Sequence, residues 1–260
     1  MKIHPSATIH PDTEMGEDVE IGPQCIIGPG VRIGAGTRLL SHVVMEGFTE
    51  VGENNFFHPF CSIGTAPQDL KYKGEPTRLL IGSRNQIREF VTIHRGTAGG
   101  HQLTRIGNDN LLMAYAHVAH DCTVGSGVIM ANAATLAGHV EVGDGATVGA
   151  STGVHQFCRV GLEAFIGGYS VITRDALPYM KTVGDRNNAK TYGVNSIGLE
   201  RKQMPGENIA ALQQVYRWLI QNRKRPFEER LMEVRKSGPK TAEVLLLLDF
   251  MATSERGFIR

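Results

Sequence analysis

Residues 106–130 read IGNDNLLMAYAHVAHDCTVGSGVIM, and a large apolar side chain recurs at every sixth position of this stretch. These side chains are Ile106, Leu112, Val118, Val124 and Met130. A period of six matches neither the 3.6-residue repeat of an amphipathic helix nor the alternation of a half-buried strand. It is typical of a parallel β-helix, in which short strands form flat faces joined by tight corners. The stretch therefore predicts an all-β solenoid.

The same register covers most of the chain. Steps of six land on large apolar residues over 3–63, 81–93 and 106–172, which makes 26 hexads. Glycine commonly follows the apolar residue, where a corner needs a positive φ or a close backbone approach. The fourth position after it is mostly small or β-branched and is expected to face inward. All the cysteines occupy that position, so we expect small buried hydrophobes rather than metal ligands or nucleophiles: Cys25, Cys61, Cys122 and Cys158.

Three hexads make a triangular coil of 18 residues, and two polar segments interrupt the coils. These segments, 64–80 and 94–105, are expected to form loops that leave the scaffold, where binding groups are commonly placed. Beyond Pro178 the hexads stop, and residues 179–205 look irregular and polar. From Glu207 onward, apolar residues recur at helical spacing and predict three helices. We therefore expect a β-helix domain over residues 1–190 and a small α-helical subdomain over residues 191–260.

Composition limits the classes of function. The chain has 260 residues, a formal net charge of +1 and 41 % apolar residues. The balanced charge gives no support for binding nucleic acid or a membrane surface. No apolar run is long enough to span a bilayer, and the N-terminal residues lack the apolar core of a signal peptide. Four cysteines without a CxxC pair are typical of a protein of the reducing cytoplasm.

The 18-residue stacking brings candidate catalytic residues together. Asp121 should lie beside His139 of the next coil, and His120 should lie beside Gly138. A neutral imidazole at His120 can accept a proton at neutral pH, and Asp121 can hold it in the productive tautomer. The backbone N–H of Gly138 is placed to stabilise an oxyanion. No serine or cysteine nucleophile adjoins this base, so direct acyl transfer from a thioester is favoured over an acyl-enzyme.

Three further polar residues belong to the same outer edge. His117 lies just around the corner from His120, and His155 and Gln156 lie one coil beyond Gly138. The other histidines, including His94 and His101, are expected to be scattered. Solvated outward positions are the simplest alternative for this edge. A zinc site of His117, His120 and His139 is a second alternative, although the HxxH spacing is unusual for such a coil.

Several strings carry a family resemblance: QDLKYKGEPTR (68–78), VTIHRGT (91–97), HVAHDCTVG (117–125), ANAATLAGHVEV (131–142), VHQFCRVG (154–161) and RGFIR (256–260). Together they resemble the UDP-N-acetylglucosamine acyltransferases of lipid A biosynthesis. The resemblance implies a homotrimer of left-handed β-helices with active sites between subunits, an exception to the usual right-handed crossover. It implies transfer of a 3-hydroxyacyl chain from acyl carrier protein to the glucosamine 3-position of UDP-N-acetylglucosamine, with no metal or other cofactor.

The resemblance also implies roles for individual residues. His120 would be the general base, Asp121 its partner and Gly138 the oxyanion donor. Asp69 and Lys71 would bind the sugar and phosphates. The residues expected to position the nucleotide-sugar and the acyl-pantetheine are Gln68, His117, His139, His155, Gln156 and Asn195. Gly168, in FIGGYS (165–170), would limit the acyl chain and leave room for about fourteen carbons.

Two positions depart from the family pattern. An acidic residue is usual where this chain has Ile197, and a second arginine is usual at Lys202. Arg201 and Lys202 are still expected to attract the pantetheine phosphate or the acidic carrier protein, but lysine lacks the bidentate fork of arginine. These departures leave open a differently built nucleotide end of the site or a 3-amino sugar acceptor. A related acyltransferase that uses coenzyme A as the donor is the enzymatic alternative. A purely structural solenoid is the non-enzymatic alternative, and it gives no reason for the two polar loops.

Overall fold

The computed structural model describes residues 1–222 and 224–260. Its strands are two to five residues long: β1 (Lys2–Ile3), β2 (Thr8–Ile9), β3 (Glu14–Met15), β4 (Glu20–Ile21), β5 (Ile26–Ile27), β6 (Arg32–Ile33), β7 (Arg38–Leu39), β8 (Val44–Met45), β9 (Phe48–Val51), β10 (Phe56–Phe57), β11 (Ser62–Thr65), β12 (Arg78–Ile81), β13 (Gln86–Ile87), β14 (Thr92–His94), β15 (Leu103–Ile106), β16 (Leu111–Leu112), β17 (His117–Val118), β18 (Thr123–Val124), β19 (Ile129–Met130), β20 (Thr135–Leu136), β21 (Glu141–Val142), β22 (Thr147–Val148), β23 (Gly153–Val154), β24 (Arg159–Val160), β25 (Phe165–Ile166), β26 (Val171–Ile172), β27 (Met180–Val183) and β28 (Lys190–Val194). The helices are α1 (Ser196–Arg201), α2 (Gly206–Tyr216), a π-helical turn (Arg217–Gln221), α3 (Phe227–Ser237) and α4 (Ala242–Ala252).

From β1 to β26 every third strand joins the same sheet, so the chain winds through three parallel sheets that form the faces of a solenoid. In the plain coils, paired residues are 18 positions apart, as for Lys2 and Glu20. The first inserted loop raises this separation to 30, between Phe56 and Gln86. The second raises it to 25, between Gln86 and Leu111. The parallel β-helix predicted from the hexads is therefore confirmed, and the loops are extra chain added to coils that remain in register.

The apolar residue of each hexad forms the core. All of these residues are buried except Ile3, Ile9 and Met15, which lie in the first coil with no coil stacked before it. A fully buried aliphatic side chain of this size stabilises the fold by about 1.5–3 kcal/mol. The four cysteines are free and buried, as expected. Burial raises the pKa of the Cys61 and Cys122 thiols to about 12.

The corners have a repeated backbone conformation. The residue three before each apolar position commonly has a φ near +60°, and many of these residues are not glycine. The glycines that follow the apolar residue serve the other purpose anticipated for them, close approach. A Cβ at Gly34, for example, would lie 2.5 Å from the carbonyl carbon of Gly52 on the next coil. Left-handed corners therefore place polar side chains such as Asp121 and His139 in columns along an edge.

The two inserted loops are shorter than the sequence suggested. Strands of three or four residues, β11, β12, β14 and β15, extend into the segments expected to be loops, because the ladder continues across the insertions. Within the two insertions, the segments without strands are residues 66–77 and 95–102.

The segment after Pro178 is more regular than expected. Strands β27 and β28 form an antiparallel hairpin that extends one face of the solenoid, and α1 follows directly. The hairpin satisfies backbone groups that an irregular segment would leave unpaired, and its apolar residues pack with the helices that follow. Apolar residues that recur at helical spacing beyond Glu207 are buried, as at Leu212, Val234 and Leu247. The hairpin straddles residue 190, so the division into domains at that point stays a prediction.

None of the described helices has the length and apolar character needed to cross a membrane.

Candidate active site

One corner of the solenoid carries a column of Asp121, His139 and Phe157 on successive coils. All three have φ between +60° and +63°, which turns each side chain to the same edge. The rings of His139 and Phe157 are stacked, with centroids 4.5 Å apart. The stacking inferred from the 18-residue coil is therefore present, and Phe157 is an addition that residue type alone did not suggest.

Asp121 and His120 form a hydrogen-bonded pair. The Nδ1–H of His120 donates to Oδ2 of Asp121 over 2.8 Å. Thr97, from the second inserted loop, donates its hydroxyl to the same oxygen over 2.6 Å and its backbone N–H to both carboxylate oxygens. Asp121 is only 2 % exposed. The alternative of a solvated outward position therefore does not hold for Asp121, because the loop folds over it.

Electrostatics keep Asp121 ionised within this site. Burial raises the pKa of Asp121, but hydrogen bonds from Thr97 and His120 outweigh it and leave the pKa below its ordinary value. Burial lowers the pKa of His139, and the carboxylates of Asp121 and Asp69 oppose this shift only in part. The corner therefore presents a carboxylate anion beside a neutral imidazole at His139 near pH 7.

Gly138 leaves the space that the His120 ring occupies. A Cβ at position 138 would lie 2.6 Å from Cε1 and 2.8 Å from Nε2 of His120, closer than real Cβ contacts. The Gly138 carbonyl accepts a hydrogen bond from the backbone N–H of Phe157. Its own N–H donates to no other group among residues 1–222 and 224–260. Gly138 thus packs against the Cε1–Nε2 edge of the His120 imidazole, the juxtaposition inferred from the stacking.

Two histidines expected to be scattered lie beside this cluster. His94, at the end of β14, is buried, and its ring meets that of His117 at 5.0 Å. Burial, together with His117, His120 and Arg95, lowers the pKa of His94 to about 4. His117 shares a 2.7 Å hydrogen bond with Thr92, and burial lowers its pKa as well. His94 was missed because the insertion lengthens the coil from 18 to 25 residues. With a separation of 25, Thr92 pairs with His117, which places the neighbouring His94 beside the cluster.

His101 is the second of these histidines. It lies in the second loop, and its ring centroid is 6.0 Å from that of His139. His155 and Gln156 are exposed one coil beyond Gly138, where Nδ1 of His155 bonds to the Gln156 carbonyl. They line the same edge and share no hydrogen bond, ion pair or ring contact with His120 or Asp121.

The first loop forms a tight turn around Asp69. Its Oδ1 accepts a hydrogen bond from the backbone N–H of Lys71, and its carbonyl accepts one from the N–H of Tyr72. Gln68 and Lys71 are exposed, and Leu70 at the tip is 98 % exposed. The Asp69 carboxylate also opposes the lowering of the pKa of His139, as the smallest of the named causes, so it lies within electrostatic range of that ring.

The remaining predicted residues lie farther toward the C-terminal helices. The side-chain amide of Asn195, at the start of α1, donates to the carbonyl of Glu163. Nζ of Lys202 lies 2.6 Å from the Glu163 carboxylate, so this cation is paired within the chain. Arg201 is exposed, and Ile197 is 65 % exposed.

Gly168 lies one coil beyond Ala150. A Cβ there would approach only backbone atoms of Ala150, at 3.2 Å or more, and the position is exposed. A larger side chain would therefore project from the surface rather than into the core.

Comparison with known proteins settles the family. A family model described as Udp N-acetylglucosamine O-acyltransferase, Domain 2, matches residues 175–259, and one described as Bacterial transferase hexapeptide matches 1–35 and 103–138. The structure of LpxA from Acinetobacter baumannii is 44 % identical with a TM-score of 0.94, and each chain is covered completely. UDP-N-acetylglucosamine O-acyltransferase from Moraxella catarrhalis is 42 % identical with a TM-score of 0.93, again with both chains fully covered. For the Bacteroides fragilis enzyme, identity is 39 % and the TM-score 0.95, with 99 % of this chain and 100 % of that chain covered.

The chain belongs to the UDP-N-acetylglucosamine O-acyltransferase family. The resemblance carried by the short motifs is thereby confirmed, and so is the prediction of an acyltransferase. Similarity along the full length to these structures also confirms the left-handed sense of the β-helix.

The corner formed by His120, Asp121 and His139 also contains possible metal ligands. They differ from the zinc ligands considered from the sequence, which were His117, His120 and His139. One ligand atom each from His120, Asp121 and His139 lies within 4.8 Å of the others, and His117 is not among them. However, Oδ2 of Asp121 already accepts hydrogen bonds from Thr97 and His120. A metal at this carboxylate oxygen would have to displace both, so the geometry favours a hydrogen-bonded pair.

Proposed function

We propose that this acyltransferase transfers a 3-hydroxyacyl chain from acyl carrier protein to the glucosamine 3-hydroxyl of UDP-N-acetylglucosamine. This is the first step of lipid A biosynthesis. The observation that carries the proposal is the buried pair of His120 and Asp121, stacked against Gly138 in a member of this family.

His120 is the general base of the proposed reaction. Its Nδ1–H is held by Asp121, so in the neutral ring Nε2 is the basic nitrogen. Nε2 removes the proton of the sugar 3-hydroxyl while that oxygen attacks the thioester carbonyl. Asp121 stabilises the imidazolium that forms and fixes the tautomer.

Gly138 supplies the donor for the oxyanion. The carbonyl oxygen gains negative charge as the tetrahedral intermediate forms, and the N–H of Gly138, a residue that packs against the His120 ring, would donate to it. Collapse of the intermediate breaks the carbon–sulfur bond. The pantetheine thiolate then takes the proton from His120, which returns to its neutral state, and the ester product leaves.

Direct transfer agrees with the state of the cysteines. A covalent acyl-enzyme would need an accessible nucleophile, and all four thiols are buried. The nearest in sequence, Cys122, has its pKa raised to about 12 by burial, so its thiolate is scarce at neutral pH.

Substrate binding is assigned along the same edge. Asp69 and Lys71 of the turn would hold the sugar and phosphates, and Gln68 beside them would help to position the nucleotide-sugar. The residues proposed to position the nucleotide and the acyl-pantetheine are His117, His139, His155, Gln156 and Asn195. Arg201 and Lys202 would attract the pantetheine phosphate or the acidic carrier protein, and Gly168 would bound the acyl chain.

The proposal includes the setting of the enzyme. The working form is a homotrimer with sites between subunits, located in the cytoplasm of a Gram-negative-type bacterium. Four unpaired cysteines support a reducing compartment. The chemistry described requires no metal and no cofactor beyond the carrier-bound thioester.

The deciding experiment is product analysis by mass spectrometry. Purified protein is given a mixed pool of acyl carrier protein thioesters, the matching coenzyme A thioesters, and both UDP-N-acetylglucosamine and its 3-amino analogue. The expected product is the 3-O-acyl sugar formed from the carrier-bound donor. Product only from coenzyme A, or only on the amine, would contradict the proposed substrates.

His120→Ala in the same assay tests the base. Transfer should fall by at least the 10²–10⁴-fold, approximately, that a general base contributes. The trimer and its melting temperature should be unchanged. A variant with substantial activity would refute the assignment of His120.

A further inference from the structure

Arg95 joins the two inserted loops. Its Nη1–H donates to the carbonyl of Gly64 over 2.7 Å, and its Nε–H donates to the Tyr72 hydroxyl over 3.0 Å. The backbone N–H of Arg95 also donates to Thr65. One residue of the second loop therefore contacts both the start and the middle of the first.

The contact with Tyr72 holds the turn that carries the proposed sugar-binding residues. Tyr72 follows Lys71 directly, and its backbone N–H donates to the Asp69 carbonyl. Its hydroxyl donates onward to the carbonyl of Glu75 over 2.7 Å, which closes the second half of the loop. Arg95 and Tyr72 are partly buried, so they fix the side of the loop that faces the solenoid. Leu70 and Lys71 are exposed, so the opposite side of the loop is accessible to a substrate.

The partners of Arg95 are neutral. Among the described residues, no carboxylate lies within 4.0 Å of its guanidinium group. A carbonyl and a phenol hydroxyl gain from the several fixed donors of a guanidinium, which a lysine ammonium cannot reproduce. The Arg95 guanidinium therefore serves as a hydrogen-bond donor that holds neighbouring groups in place, and it forms no ion pair among the described residues.

The same short segment reaches the base. Two residues after Arg95, Thr97 donates its hydroxyl and its N–H to Asp121. Gly96 between them donates to the carbonyl of Arg78, at the far end of the first loop. Residues 95–97 thus fix the first loop at one end and the carboxylate of the catalytic pair at the other.

We propose that Arg95 is a positioning residue that holds the nucleotide-sugar loop, residues 66–77, at a fixed distance from the pair of His120 and Asp121. This inference rests on the proposed function, because it gives the loop its role in binding the UDP-sugar. Arg95 acts through Tyr72 on the turn of Asp69 and Lys71, and it does not touch the reacting atoms.

The test separates binding from chemistry. Arg95→Met should raise the KM for UDP-N-acetylglucosamine by about tenfold and change kcat by less than about threefold, since misplaced binding groups weaken capture of this substrate. Arg95→Lys should recover little of the loss, and Tyr72→Phe should show a smaller rise in KM. Arg38→Met, which removes an exposed arginine paired with Glu20 on an early coil, is the matched control and should leave both constants unchanged.

Two further measurements test whether Arg95 acts through the turn of Asp69 and Lys71. Trypsin should cleave after Lys71 or Lys73 faster in Arg95→Met than in the wild type, because the loop is released. The double variant Arg95→Met with Lys71→Ala should show a rise in KM smaller than the product of the single effects, because both act on the same turn.

The outcomes are distinguishable from failure of the proposed function. If the wild type does not acylate UDP-N-acetylglucosamine at all, the function fails. If the wild type is active and folded Arg95→Met keeps its KM and its resistance to trypsin, the positioning role alone is overturned. A fall in kcat with unchanged KM would also overturn it, since that result would place Arg95 in the chemistry.

Discussion

Two buried aspartates of this chain have opposite surroundings. Asp175 is 1 % exposed and Asp121 is 2 % exposed. Asp175 accepts hydrogen bonds from Nε and the backbone N–H of Arg159, and from the Ser254 hydroxyl. Asp121 accepts from Thr97 and His120 and has no arginine or lysine partner in the described part of the chain.

The difference shows what each carboxylate can do. A guanidinium is a permanent cation. Arg159 also donates to the Phe250 carbonyl of α4, so its pair with Asp175 ties the C-terminal helices to the solenoid. A histidine can gain and lose a proton near pH 7, so Asp121 supports a partner whose charge changes. A permanent ion pair suits structure, and a titratable pair suits proton transfer.

Removing the charge of Asp121 should have the largest effect. Asp121→Asn is expected to lower kcat by about 10³-fold, equivalent to about 4 kcal/mol, because the amide no longer stabilises the imidazolium or fixes the tautomer. Steady-state kinetics with UDP-N-acetylglucosamine measure it. Asp175→Asn is the matched control and should keep its kcat at a temperature where it is folded. Similar losses in both variants would contradict the contrast.

Breaking the permanent pair should mainly affect stability. Arg159→Met leaves Asp175 buried without its cation and also removes the stacking of Arg159 on Phe250. We expect a loss of about 3–5 kcal/mol in the free energy of unfolding, with kcat retained well below the melting temperature. Chemical denaturation and a low-temperature assay test the two parts. An unchanged unfolding midpoint would show that Asp175 does not need the pair.

Acid should lower the stability of the folded chain through the buried imidazole of His94. The pKa of His94 is about 4 in the folded chain, against an ordinary value of 6.5. Between these values the unfolded chain binds a proton that the folded chain does not, so stability falls as pH drops from 6.5 to 4. This loss is at most about 3 kcal/mol. Melting temperatures across that range should fall less steeply for His94→Gln, and equal slopes would contradict the assignment.

The smallest effect on stability is expected at Ser254, which donates a hydrogen bond to the ion pair of Arg159 and Asp175. Ser254→Ala removes one of the hydrogen bonds to Asp175 and leaves Arg159 in place. The expected loss is about 1–2 kcal/mol of unfolding free energy, with unchanged kcat. A loss as large as that of Arg159→Met would mean that the hydroxyl, and not the cation, holds the carboxylate.

The hexad register predicted most of the solenoid because apolar residues that recur every six positions all face inward in such a coil, and neither a helix nor an alternating strand has that period. It also brought together Asp121 with His139 and His120 with Gly138, since stacking follows from a constant coil length. The parallel fold and the inward cysteines follow from the same register, and the helical stripes follow from the separate 3.6-residue period beyond Glu207.

The parts that sequence missed lie where the period is interrupted. His94, Arg95, Thr97 and His101 belong to or adjoin the second insertion, and spacing along the chain cannot tell where an inserted loop folds back. The burial of Asp121 was missed for the same reason, because the loop that covers it is seven residues longer than a plain corner allows. The hairpin of β27 and β28 was missed because its pairing is antiparallel and outside the hexad rule.

The four inward cysteines have a consequence for studying how this molecule opens. They lie at intervals from an early coil to a late one, and each coil contacts only its neighbours. With its pKa raised by burial, each thiol is shielded from alkylation until its own coil separates. Alkylation followed by peptide mapping would therefore read the order in which the coils unravel, with no label added to the chain.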